Sequence, residues 1–144
     1  MDALATIRTR LAPMQFLVTP TVFEEMAHKA EFEPDRDLRT LAKKGLKELR
    51  PRWQIQPALL NAVQEAIVSR SATRLQQAGL LPYEERNDAF LLTEASVLNC
   101  ILLVTHDSHL RGLDFQRLAL LFGELDLIAP IIATPTEVLR KFYR

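Results

Sequence analysis

One cysteine in 144 residues leaves no partner for a disulfide and too few companions for a structural zinc site. Cys100 sits against the apolar run ILLV and reads as a packed thiol. Glycine is nearly as scarce. Gly45, Gly79, Gly112 and Gly123 form neither a dinucleotide fingerprint nor a phosphate loop, which argues against a nucleotide-cofactor enzyme. No serine lies in an elbow motif with a histidine in a matching order, so acyl hydrolysis is set aside too. Long apolar runs are missing: nothing approaches the roughly 20 residues that span a bilayer, and MDALATIRTRLAP lacks the apolar core of a secretory signal. A cytoplasmic protein with no membrane partner is expected. Charge of one sign is absent overall, 18 basic residues against 18 acidic, so no global field marks a nucleic-acid coat protein.

What is present is apolar patterning. At 48% hydrophobic, 144 residues suffice for one sizeable core and are too few for two ordinary domains, so a single domain over 1–144 is expected. Three runs have the character of buried strands: QFLVT at 15–19, ILLVT at 101–105 and LIAPIIA at 127–133. Each reads as covered on both faces, as parallel strands are. Two of them run into Thr-Pro-Thr before a helix, where proline fits the first turn and Thr21 with Glu24, or Thr134 with Glu137, can form the cap. Helices are predicted over 21–31, 35–49, 58–78 and 83–99, closed by Pro51, Gly79 and the turn before ILLVT. The pattern is α/β: three layers, α/β/α, around a central parallel sheet.

Open parallel sheets place their sites beyond the carboxyl ends of the strands, and carboxylates collect there. Glu24 and Glu25 follow QFLVT, and Asp107 lies two residues past ILLVT. Asp88 arrives by another route. A helix from Asp88 to Asn99 climbs about 16 Å at roughly 1.5 Å per residue, and the strand from Ile101 to Thr105 returns a similar distance at about 3.3 Å per residue. The two aspartates are therefore expected to meet. Clustered anions raise one another's pKa unless a cation neutralises them, and oxygen ligands suit Mg²⁺ or Mn²⁺, one or two ions. The alternative is that Asp88 solvates a helix start and Asp107 closes a turn.

Four segments in this order resemble the PIN domains, metal-dependent ribonucleases that include the VapC-type toxins: VTPTVFEEM at 18–26, NDAFLLTEA at 87–95, LLVTHDSHL at 102–110 and IIATPTEVL at 131–139. The resemblance covers about a third of the chain. It implies a PIN-like fold and phosphodiester cleavage by water activated on Mg²⁺ or Mn²⁺. The metal-binding acids would fall on Glu25, Asp88 and Asp107, with Thr105 fixing the last. It also implies RNA as substrate and an antitoxin protein as a partner. The departure is at the N-terminus, where the family's first strand and its Asp are missing and residues 2–11 read as the helix that would follow. Either the chain starts at an internal methionine or strand and chemistry have been lost together. With that strand absent, QFLVT and ILLVT are expected to pair directly or to admit a segment of a second copy as a homodimer. Nuclease activity is then expected to be low or absent, and a non-catalytic PIN-like module binding RNA or protein is the alternative.

The remaining signals are local. Arg36, Arg39, Lys43, Lys44, Lys47, Arg50 and Arg52 outnumber Asp37 and Glu48 over 36–52, which gives either a solvated helix face or an RNA-contacting one. From this stretch Lys43, Lys44, Lys47, Arg50 and Arg52 are the nucleic-acid candidates. Trp53 reads as a packing residue, or as a platform that stacks a base with Arg50 and Arg52. His28, His106 and His109 make a poor zinc set and read as surface residues.

Overall fold

Proline has no N–H, so it stops β-ladders and starts helices. The computed structural model, which describes residues 3–141, shows this at Pro20 and Pro135, which begin helices, while Pro57 sits in a two-residue strand. In chain order the elements are α1 (Ala3–Arg10), β1 (Leu17–Val18), α2 (Pro20–Phe32), α3 (Arg36–Glu48), β2 (Gln56–Pro57), α4 (Ala62–Gln77), α5 (Arg86–Val97), β3 (Leu102–Val104), α6 (Ser108–Arg111), α7 (Phe115–Glu124), β4 (Ile131–Ala133) and α8 (Pro135–Lys141). Between the strands the helices come in pairs, and the pairing is parallel as the sequence implies, but among the described residues the strands form two separate two-stranded sheets, β1 with β2 and β3 with β4, instead of the one central sheet expected. The ladders are much shorter than the apolar runs. Pro20 ends β1 after two residues, and Pro130 removes a donor inside LIAPIIA so that β4 is only its last three residues.

The chain divides into two compact units, one of Met1–Arg10 with Leu60–Arg144 and the other of Leu11–Leu59. In the second, α2 and α3 form a helical hairpin. Asp35 starts α3 by accepting from Asp37 N at 2.8 Å and Leu38 N at 3.1 Å. QFLVT takes as its neighbour not ILLVT but β2, in register Leu17 with Gln56 and Val18 with Pro57. The rungs are Gln56 N to Phe16 O at 3.3 Å and Ala58 N to Val18 O at 2.8 Å.

The other unit holds the larger core. Leu75, Leu92, Leu118 and Phe122, from α4, α5 and α7, are each fully buried, with Ala72, Ala89 and Leu110 packed among them. Asn61 opens α4 with a reciprocal box to Gln64, and Gly79 closes it at φ +74°, a conformation glycine adopts without penalty. After α5 the chain turns at Asn99, φ +58°, into β3, which pairs with β4 in register Leu102 with Ile131 through Val104 with Ala133. Helix α1 packs on α8. The strands are not covered on both faces: Leu17 is 37% and Ile131 52% exposed, because each strand has one neighbour among the described residues and short ladders leave side chains at the rim. No helix among the described residues is long and apolar enough to cross a membrane.

The two Thr-Pro-Thr junctions cap differently. At α8 the expected box forms, with Glu137 N donating to Thr134 Oγ1 at 3.2 Å and Thr134 N donating to Glu137 Oε2 at 2.7 Å. The Thr134 amide is also the main reason the Glu137 carboxyl sits below its ordinary pKa. At α2 the cap position is Thr19 rather than Thr21. Three residues beyond it stands Val22, which has no carboxylate to return, and Thr19 Oγ1 is buried with no hydrogen-bond partner among the described residues. Thr134→Ala is expected to lower stability by about 1 kcal/mol in urea unfolding, while Thr19→Ala should cost less, since no cap bond is lost there.

Candidate metal centre

Helix α5 begins beside the carboxyl end of β3, and this junction gathers the acids. Glu85 occupies the cap position of α5 and Asp88 lies three residues on, so i,i+3 spacing puts both carboxylates on one face of the first turn. Beyond β3, Thr105 Oγ1 accepts from Asp107 N at 3.0 Å and fixes the backbone there. Asp107 Oδ1 in turn accepts from His109 N at 2.8 Å and Leu110 N at 3.1 Å, opening α6. His109 reaches back across the junction: its Nδ1 lies 3.4 Å from Glu85 Oε1 and 3.9 Å from Asp107 Oδ1. One ligand atom each of Glu85, Asp88 and His109 falls within a 4.8 Å span.

The electrostatics follow from that crowding. Asp88 is pushed from 3.8 up to about 6, first by burial, then by the negative charge of Asp107, then by its hydrogen bond and repulsion with Glu85, while His109 pulls the other way. The charge of Asp107 reaches Asp88, but the close trio of possible ligand atoms is Glu85, Asp88 and His109 and does not include Asp107. Asp88 Oδ2 is buried and accepts no hydrogen bond among the described residues. An oxygen without a donor, beside two further carboxylates and an imidazole, is an arrangement that a divalent cation would relieve.

The other candidates are distributed as follows. Glu25 is half-buried in the second turn of α2, in the unit Leu11–Leu59. Lys43, Lys44 and Lys47 are exposed on α3 and Arg50 is exposed just after it. Arg52 pairs with Glu48 at 3.1 Å and lies 4.7 Å from the Trp53 ring centroid, so its guanidinium is already engaged. His106 is exposed, as expected of a surface histidine, whereas His109 belongs to the cluster. Cys100 is half-buried and burial raises its pKa, in keeping with a packed thiol. Sequence reasoning passed over Glu85 and His109. The signal for Glu85 was its three-residue spacing to Asp88; for His109 it was its place two residues beyond Asp107, within one helical turn. No protein-family model, curated protein or solved structure matches the chain.

Proposed function

We propose that this chain is a metal-dependent ribonuclease of the PIN-domain kind, with the α/β/α arrangement around a central parallel sheet that the order of its strands and helices supports. The observation that carries the reading is the convergence of Asp88 on Asp107, joined by Glu85 and His109. Carboxylates suit Mg²⁺ or Mn²⁺, and the imidazole favours Mn²⁺ of the two. Once bound, the cation would neutralise the acids, polarise a phosphodiester and activate water. The chain's own residues do the positioning. Thr105 holds the Asp107 backbone, α5 sets Glu85 and Asp88 on one face, and His109 moderates the acids' mutual repulsion. The reading needs no contribution from Glu25. It carries with it RNA as substrate, Lys43, Lys44, Lys47, Arg50 and Arg52 as RNA contacts, a homodimer and an antitoxin partner. A second reading, a non-catalytic PIN-like module that binds RNA or protein, is favoured by one contact: Asp107 Oδ1 is already occupied by two backbone amides.

Thermal unfolding in Mn²⁺ separates the two. A cation that binds only the folded chain at a hundred times its Kd adds about 2.7 kcal/mol. For a chain of this size that raises Tm by roughly 5–10 °C. Asp88→Asn with Asp107→Asn should remove the shift, and Mn²⁺-dependent cleavage of single-stranded RNA should vanish with it. A full shift retained by the double variant would exclude this centre, and a shift without cleavage would select the non-catalytic module.

A further inference from the structure

The unit that holds the acids also carries an open groove of about 470 Å³ along one side of α4, lined by Ala66, Ser69, Arg70, Thr73, Arg74 and Gln77. These six recur at steps of three and four, so they form a single stripe down the helix. The stripe has two guanidinium groups, two hydroxyls, a primary amide and no carboxylate. Among the described residues Arg74 pairs with Glu124, at 3.7 Å between exposed groups, an ion pair that solvent renders weak. Arg70 makes no ion pair or side-chain hydrogen bond among the described residues. Polyanions fit such a surface, and so do their spacings. Arg70 and Arg74 are one turn apart, roughly 6 Å between Cβ atoms, the order of separation between successive phosphates on one strand.

Thr73 connects this stripe to the candidate metal centre. Its Oγ1 accepts from Arg86 Nη2 at 3.1 Å, and Arg86 directly follows Glu85 in the first turn of α5, two residues before Asp88. Arg86 is itself committed, donating to Gln76 Oε1 at 2.8 Å and lying 4.6 Å from the Phe90 ring centroid. It therefore acts as a fixed link rather than a free cation. A strand laid along the stripe would end beside the turn that presents the acids.

We propose that the Arg70–Arg74 face of α4 is the phosphate track along which single-stranded RNA reaches the Asp88–Asp107 centre. The inference rests on the ribonuclease reading and refines it, since that reading by itself assigns RNA contact to the basic face of α3. Recognition here is of the backbone, by the two guanidinium groups and the Ser69 hydroxyl, since Thr73 Oγ1 already donates to Ser69 O at 3.0 Å, and it carries no base preference.

The test is fluorescence anisotropy with a labelled mixed-sequence single-stranded RNA in EDTA, over a series of salt concentrations, on three proteins: the unaltered chain, Arg70→Glu with Arg74→Glu, and Lys43→Glu with Lys44→Glu and Lys47→Glu. Losing two phosphate contacts should reduce the slope of log K against log salt by about 1.4 and weaken binding roughly tenfold at moderate salt. Arg70→Gln with Arg74→Gln, which keeps both side chains polar, should show the same change of slope if the charge-reversed protein unfolds. The α3 variant should change the slope less than the α4 variant. Unaltered binding and slope in both arginine variants overturn the track, and so does a larger loss in the α3 variant. An unaltered chain that binds no RNA overturns it as well. None of these results touches the Mn²⁺-dependent shift in Tm, which decides the metal reading on its own.

Discussion

Asp88→Asn should make the metal-free protein more stable at neutral pH and at the same time deaf to Mn²⁺. Folded Asp88 holds its proton up to about pH 6, whereas the unfolded chain releases it near 3.8. Between those values the native state binds more protons than the unfolded state, so this residue makes stability fall as pH rises through the window. Fully realised, a shift of that size corresponds to about 3 kcal/mol, and partial exposure to solvent reduces it to about 1–2 kcal/mol. Asparagine keeps the shape without the charge. It gives up an attraction between a first-turn carboxylate and the α5 dipole of about 0.3–1 kcal/mol, too little to reverse the sign. The difference between Asp88→Asn and the unaltered chain should therefore be near zero at pH 4, grow to about 1 kcal/mol by pH 7 and stay flat above. Chemical unfolding at several pH values measures it directly. With Mn²⁺ present the order should invert, because the cation binds the ionised carboxylate and the variant has none to offer. A variant no more stable than the unaltered chain at pH 7 would mean that Asp88 is not under the strain described.

The parts of this structure legible in the sequence are those governed by short-range rules. Helices α2 to α5 lie within a few residues of their predicted spans because Pro20, Asp35, Asn61 and Gly79 are strong local signals. The approach of Asp88 to Asp107 was legible for a different reason, since a helix of known rise followed by a strand of known rise leaves little freedom for where the chain returns. Helix α7 is legible in the same way, since Leu118, Leu121 and Phe122 are spaced three and four apart behind a capping Asp114. Strand β2 could not. Gln56-Pro57 has neither β-branched residues nor alternation, and it pairs only because the α2–α3 hairpin returns the chain alongside Leu17 and Val18. Ladder length was equally hidden, because an apolar run says that residues are sheltered and not how many of them find a hydrogen-bonding neighbour. His109 was discounted for lack of other histidines, a test suited to zinc and blind to a site made mainly of carboxylates.

Gln76→Leu should produce the largest loss of stability among the polar substitutions considered, and it should damage the metal response more than its distance along the chain from Asp88 suggests. Gln76 is 5% exposed. Its Nε2 donates to Pro82 O at 3.0 Å and Tyr83 O at 3.1 Å, and its Oε1 accepts from Arg86 Nη1 at 2.8 Å. One buried amide therefore pins the loop that leads into α5 and also Arg86, the residue that follows Glu85. Leucine fills a similar volume but leaves two carbonyls without donors and removes an acceptor from a half-buried guanidinium, at roughly 1–3 kcal/mol for each group left unsatisfied. Water entering at the loop would recover part of this, so about 3 kcal/mol in total is expected, read as a lower urea midpoint with little change in slope. Arg86 keeps its contacts to Thr73 and Phe90, so α5 should still form. The entry to its first turn should loosen, and with it the placement of Glu85. Mn²⁺ affinity should accordingly fall even when measured well below the unfolding transition, where a purely global destabilisation would leave it unchanged. Gln76→Glu supplies the contrast: it strengthens the bond to Arg86 by charge while turning an oxygen toward two carbonyl oxygens, so it should keep part of the Mn²⁺ affinity and still lose stability. Equal Mn²⁺ affinity in the unaltered chain and Gln76→Leu would show that the centre is assembled without this amide, by Thr105 and the α6 cap alone.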